Sequence, residues 1–202
     1  MTVRVLFPHH WQTQAWKNGG GITHEIARDD DAAGNRWRLS IAEVASDGPF
    51  SRFDGIDRTI LMLTGNGFCL HGVGANPERI VAPLQPFAFA GEATVQCTLI
   101  DGPVRDFNLM VRRGEVTGAL QIVPLTAARQ PVPVAPQSFV FVASGRIFAE
   151  LNGHGYLLDA EQTLQLSDES GELMLSAAGN TTGNTTGNVA GNAAAAIVIA
   201  LR

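Results

Sequence analysis

Apolar and polar positions alternate along this chain in short runs, and the period is two far more often than 3.6. Arg36-Trp37-Arg38-Leu39-Ser40-Ile41 alternates along its whole length. Thr59–Leu63, Thr94–Ile100 and Phe139–Ala143 are rich in β-branched and aromatic residues. Such runs read as strands with one buried face. Turn signals separate them: Thr64-Gly65-Asn66-Gly67, Asp101-Gly102-Pro103, Ser144-Gly145 and Asn152-Gly153. Many short strands punctuated by Gly, Asn and Pro predict an antiparallel sandwich or barrel. No segment predicts a helix of more than about two turns, and Glu161–Leu166 reads equally as helix or strand.

Two β units emerge from the same pattern. Pro124–Gln137 holds four prolines, each lacking the N–H that a central strand would donate. This stretch reads as a semi-extended linker, residues 124–137, between a unit spanning 1–123 and a second spanning 138–202. The second compresses into a small barrel whose last strand lies near Ile197. Between Gly179 and Asn192 the chain repeats Gly-Asn-Thr-Thr with no side chain large enough to anchor it, which predicts a flexible loop over 179–192.

Composition narrows the function classes. Apolar residues make up 45% and charged residues 16%, with 22 Gly and 10 Pro, which speaks against a helical bundle. The net charge is −5, and 13 of the 14 basic residues are Arg, Lys17 being the one lysine. With no basic cluster longer than Arg112-Arg113, nucleic acid is not an expected partner. No run approaches the ~18 apolar residues of a membrane span, and the opening residues lack a signal-peptide apolar region. The expected location is the cytoplasm. Cys69 and Cys97 are too few for a disulfide framework and read as small apolar strand residues.

The candidate chemistry is polar and non-metallic. In Trp16-Lys17-Asn18-Gly19-Gly20-Gly21, three adjacent glycines make a tight turn or a backbone nest for an anion. If the segments that follow are extended, Thr23 and Glu25 share a face, as do Arg38 and Ser40, and Asp106 and Asn108. These pairs face solvent or point into a barrel mouth as the few polar contacts of a small-molecule pocket. The five histidines show no H-x-H, H-x-x-x-H or H-E-x-x-H spacing, so no metal and no cofactor are expected. No G-x-S-x-G occurs and neither cysteine has a basic neighbour, so no catalytic nucleophile is assigned.

The chain resembles the HutD/Ves family in four ordered motifs over about its first 113 residues. They are W-x-N-G-G-G-x-T-x-E-I at Trp16–Ile26, W-R-x-S-x-A-x-V at Trp37–Val44, D-G-P-F-S-x-F-x-G-x-D-R at Asp47–Arg58, and D-F-N-x-M-x-R-R at Asp106–Arg113. The family pattern tends to have F-P-G where this chain has Phe53-Asp54-Gly55, and His24 falls at a variable position. The resemblance implies an all-β fold of two cupin-like (jelly-roll) β-barrel units, a bacterial cytoplasmic location and a link to histidine utilisation. It implies a bound pathway metabolite in place of catalysis.

Polar pairs and motifs together make Asn18, Gly19, Gly20, Thr23, Glu25, Arg38, Ser40, Asp57, Arg58, Asp106 and Asn108 the expected ligand-binding set. The expected ligand is a small carboxylate such as urocanate or a formyl- or formimino-glutamate. Arg38 or Arg58 would clamp its carboxylate through paired charge-assisted hydrogen bonds, while Asn18 and the glycine amides hold a second polar end. One rival is a cupin-like isomerase or hydrolase with Glu25 or Asp106 as general base. Another is a protein-binding module with an empty barrel. Exposed sheet edges leave a homodimer open.

Overall fold

A computed structural model describes residues 2–168, 171–179 and 194–202. Beyond Gly179, the repeat expected to form a loop over 179–192 lies outside the described residues. Among those described, the one helical element is a single 3-10 turn at Pro8–His10. The rest is strand and turn, so the fold is all-β, and Glu161–Leu166 resolves as strand from Thr163 onward.

Strand β1 (Thr2–Leu6) opens the chain, and ten strands follow before Gly118: β2 (Gln12–Ala15), β3 (Gly21–Asp31), β4 (Gly34–Val44), β5 (Gly48–Pro49), β6 (Ile56–Thr64), β7 (Phe68–His71), β8 (Glu78–Ile80), β9 (Phe87–Ala90), β10 (Gln96–Leu99) and β11 (Val104–Arg112). Strands β2 to β11 make one compact body, residues 10–118. Its larger sheet has the order β2-β3-β4-β11-β6-β9 and its smaller sheet β5-β10-β7-β8. Because side chains alternate across a strand, each central strand sends a row of every second residue between the sheets. On β4 that row is Arg38, Ser40, Ala42 and Val44. On β6 it is Arg58, Ile60 and Met62, and on β11 it is Val104, Asp106, Asn108 and Met110. The β4 and β6 rows are apolar at one end and polar at the other, and the β11 row carries its polar pair, Asp106 and Asn108, between Val104 and Met110. The apolar ends join Phe68, Leu70, Ile80, Val95 and Cys97 in a dry core.

The remaining strands are β12 (Gly118–Leu125), β13 (Gln130–Val132), β14 (Gln137–Ser144), β15 (Arg146–Leu151), β16 (His154–Asp159), β17 (Thr163–Ser167), β18 (Leu173–Ala177) and β19 (Ala194–Leu201). With β1 they build a second compact body, Met1–His9 and Ala119–Arg202. Its sheets run β1-β17-β14-β19-β12 and β13-β18-β15-β16. The inward rows here are mostly apolar, with Val123, Leu125, Val132, Val140, Val142, Ile147, Leu158, Leu164 and Val198 among them, and the buried Ser138 at the start of the β14 row bonds to the Ala135 backbone.

This division differs from the one read off the sequence, which placed residues 1–123 in one unit and gave 124–137 to a linker. β1 pairs with β17 in register from Thr2↔Ser167 to Leu6↔Thr163, so the chain's first strand belongs with its last ones. The proline-rich stretch is largely strand. Pro124 lies on β12 and Pro131 on β13, and both are edge strands, where a missing donor leaves no partner unsatisfied.

Candidate functional site

The polar ends of the inward rows in the 10–118 body surround a cavity of about 460 Å³. Register brings them together. Ser40 on β4 lies opposite Asn108 on β11, and Met110 lies opposite both Arg38 on β4 and Arg58 on β6. Arg38, Ser40, Arg58, Asp106, Asn108 and Met110 form the floor. The roof comes from the loop before β3 and the turn before β6, which supply Trp16, Lys17, Asn18, Phe50 and Phe53.

Buried charge dominates the floor. Arg58 is 6% exposed, and its Nη2 donates to Asn108 Oδ1 at 2.8 Å. Asn108 Nδ2 donates in turn to Asp106 Oδ1, so Arg58 reaches Asp106 through an intervening amide. Asp106 is 1% exposed, and burial outweighs the neighbouring Arg58 charge and lifts its carboxyl to about 7. Burial lowers Arg58 to about 10 against the opposing pull of Asp106, and lowers Arg38 as well. Neither guanidinium of the floor has a carboxylate within ion-pairing distance. Arg58 Nε, Arg38 Nε and Asp106 Oδ2 are buried without a hydrogen-bond partner.

Aromatic faces replace carboxylates as the guanidiniums' neighbours. The Arg58 guanidinium lies 4.9 Å from the Phe89 ring centroid, 5.5 Å from Phe50 and 5.7 Å from Phe53. Arg38 lies 5.5 Å from the same Phe53 ring, and its Nη2 points at Met110 Sδ. Stacking of this kind holds an arginine in place while leaving its in-plane N–H groups free for a planar anion.

The roof is fixed by its own hydrogen bonds. Trp16 Nε1 donates to Thr23 Oγ1 at 2.8 Å, and Phe50 packs edge-on against Trp16. In the glycine loop, Gly19 N donates to the Trp16 carbonyl and Gly20 N to Asn18 Oδ1, with Gly19 at φ +74°. These two amides are spent within the turn, so the anion nest expected from Gly19 and Gly20 does not form. Gly21 serves close approach instead: a Cβ there would run into the Glu43 carbonyl and the Trp16 ring.

Seven of the eleven expected residues therefore converge on the cavity: Asn18, Thr23, Arg38, Ser40, Arg58, Asp106 and Asn108. Gly19 and Gly20 shape the loop without lining it. Glu25 is drawn aside by Arg28, 3.4 Å away, because a bulge after Glu25 puts Arg28 on its face of β3. Asp57 neighbours Arg58 in sequence and so takes the opposite face of β6, where it pairs with Arg113 at 2.7 Å. His24 also lies off the cavity, between Thr13 and Glu43. The sequence reading missed Trp16, Phe50, Phe53 and Met110. Two phenylalanines three apart in a Gly/Pro-rich connector were the available signal for the aromatic wall.

The donor set does not suit a metal ion. Two guanidiniums repel a cation, and Asp106 is the one carboxylate lining the cavity. Among the described residues no group of three or more His, Cys, Asp or Glu side chains gathers at any point.

Comparison with known proteins agrees with this architecture. The family model HutD matches residues 9–183. An uncharacterised 21.2 kDa protein from the hutC 3′ region of Pseudomonas putida is 44% identical over 110 residues, which are 54% of this chain and 57% of that protein. The chain thus spans little more than half the length of that relative. Protein Ves from Citrobacter koseri is 33% identical over 80% of this chain and 86% of its own length. Two solved structures, each 31% identical, cover the whole of this chain. A conserved protein of unknown function from Pseudomonas aeruginosa PAO1 has a TM-score of 0.85 over 99% of its length, and HutD from Pseudomonas fluorescens SBW25, in a formate condition, has 0.79 over 100%. A cupin 2 conserved barrel domain protein from Leptotrichia buccalis, 9% identical with a TM-score of 0.58, covers 95% of this chain and 96% of its own and shares the fold alone.

Proposed function

The chain belongs to the HutD family, and from that premise we propose that the cavity of its 10–118 body binds a small carboxylate metabolite of histidine breakdown. One observation carries this reading: the buried Arg58 guanidinium and the half-buried Arg38 guanidinium line one small cavity, with no carboxylate within ion-pairing distance of either. Burying an unpaired cation costs several kcal/mol, and the fold adds to the cost by placing the two within each other's repulsion. A ligand carboxylate would offset that cost. The Arg38 and Arg58 forks supply paired charge-assisted hydrogen bonds to it, and Ser40, Asn108 and Asn18 orient its remaining polar atoms. Urocanate and the formyl- and formimino-glutamates are of a size that about 460 Å³ accommodates. The structure of HutD from Pseudomonas fluorescens SBW25 was solved in a formate condition, and formate is the smallest carboxylate. The role that follows is a cytoplasmic protein that senses a pathway intermediate and adjusts flux through the pathway.

Thermal shift tests the reading directly, because a ligand of the native state alone stabilises it by RT ln(1 + [L]/Kd). At least one of urocanate, formyl-glutamate, formimino-glutamate and formate should raise the melting temperature at millimolar concentration. Arg38→Ala should abolish the shift. No shift with any of them would sink the proposal.

A second reading rests on Asp106. A carboxyl held near 7 beside a cavity has the proton affinity of a general base at neutral pH. It predicts turnover, seen as new resonances when each intermediate is incubated with the protein and followed by NMR. Unchanged spectra after prolonged incubation would remove it.

A further inference from the structure

The arrangement around Asp106 bears on how a carboxylate enters a site that already holds one. Asp106 Oδ1 accepts from Asn108 Nδ2, whereas Oδ2 is buried at the cavity with no hydrogen-bond partner. Each packed element contributes to its surroundings. From β6 comes Arg58, which reaches Asp106 only through Asn108. From β4 come the Ser40 hydroxyl, Ala42 and, farther along the row, Arg38. From β10 comes Cys97, whose thiol burial pushes up to about 12 and which is therefore neutral. Lys17 stands in the roof loop. No second acidic side chain lines the cavity.

An ionised ligand carboxylate seated on Arg38 and Arg58 would share this cavity with an ionised Asp106, itself 1% exposed. Two carboxylates in one low-dielectric site do not both stay charged; one takes a proton. Asn108 passes its amide between Arg58 and Asp106, so the guanidinium does not neutralise Asp106 directly. The partnerless Oδ2 is the atom free to carry the proton, and an O–H there is a donor toward the cavity.

We infer that Asp106 makes this a proton-coupled site: above neutral pH each carboxylate ligand enters with one proton taken from solvent, which resides on Asp106 Oδ2, and below it the proton is already there. Asp106 then acts as a specificity element, as a neutral hydrogen-bond donor that favours ligands presenting an acceptor oxygen. This rests on the carboxylate-binding reading given above. Since the free carboxyl sits near 7, affinity should be level below neutral pH and fall above it.

Calorimetric titration of the full chain tests the inference, using formate, N-formylglutamate and N-formiminoglutamate, whose carboxylates are ionised from pH 5.5 to 9. The tightest binder is then measured across that range in two buffers of different ionisation enthalpy. Proton uptake in the wild type should approach one per ligand at pH 8, with Kd rising up to tenfold per pH unit above about 7. In Asp106→Asn the uptake attributable to this group should vanish and the pH profile flatten, with affinity at pH 8.5 no weaker than wild type. Zero uptake and a flat wild-type profile would overturn the inference while leaving carboxylate binding intact. So would loss of binding in an Asp106→Asn protein whose tryptophan fluorescence shows it folded, because that outcome requires an ionised Asp106. If none of the three binds wild type even at pH 6, the carboxylate reading itself fails.

Discussion

Asp106 should make the ligand-free protein less stable as pH rises from acid to neutral, the reverse of ordinary acid denaturation by paired carboxylates. Its carboxyl moves from an ordinary 3.8 to about 7 on folding, so the folded state holds the proton more tightly than the unfolded chain. That contribution is fully present below 3.8 and is lost as pH rises through about 7. At about 1.4 kcal/mol per pH unit crossed, the whole span is on the order of 4 kcal/mol. That is a large share of the ~5–15 kcal/mol by which domains are stable. Asp106→Asn keeps an oxygen to accept from Asn108 Nδ2 and cannot ionise. Urea unfolding followed by tryptophan fluorescence isolates the relevant body, since all three tryptophans, Trp11, Trp16 and Trp37, lie within residues 10–118. Between pH 5 and 8 the wild type should lose stability relative to Asp106→Asn by about 3 kcal/mol, and the variant should be the more stable at pH 8. Parallel pH profiles for the two proteins would refute the assignment of a buried, proton-holding Asp106.

Phe53 lies against both guanidiniums, so Phe53→Leu should weaken carboxylate binding by on the order of tenfold, the equivalent of about 1.4 kcal/mol of lost cation–π contact; unchanged calorimetric affinity would show that the ring is only a wall. Asp57→Asn should leave ligand binding untouched and the urea midpoint nearly unchanged, because its pairing with Arg113 is half exposed and Glu92 also holds that arginine. Gly21→Ala should lower the melting temperature markedly, since its Cβ collides with backbone at Glu43 and displaces the Trp16 ring that roofs the cavity; a wild-type melt would mean the loop relocates freely.

Much of the fold was legible because a strand's burial is written in its alternation. Arg36 to Ile41 announces a strand with one polar row, and β4 carries that row into the cavity. The body boundaries were not legible. Nothing local in Thr2–Leu6 says that its partner is Thr163–Ser167, some 160 residues on, because cross-strand pairing is decided by which edge remains open once the other strands have assembled. The prolines of 124–137 exclude a central strand but permit an edge one, which is what β12 and β13 are.

The site divides along a similar line. Residues at i and i+2 on one strand were found because period two guarantees a shared face, and Arg38 with Ser40 and Asp106 with Asn108 all line the cavity. Asp57 failed by the same rule, since a residue adjacent to Arg58 on a strand faces away from it. Glu25 failed through a bulge that period-two counting does not register. The aromatic wall was missed because Phe50 and Phe53 sit in a connector, where neither periodicity applies. What separates the two bodies chemically is then a matter of a few positions. In the body that holds β1 and β12 to β19, the inward rows are mostly apolar and Val140, Leu158 and Leu164 fill the interior, with Ser138 tied to backbone at the β14 end. In the 10–118 body, Arg38, Ser40, Arg58, Asp106 and Asn108 interrupt equivalent rows halfway. The interruption exchanges packing for a polar cavity lined by the buried Arg58, the half-buried Arg38 and an Asp106 carboxyl oxygen with no hydrogen-bond partner, groups that cost free energy to bury in this way.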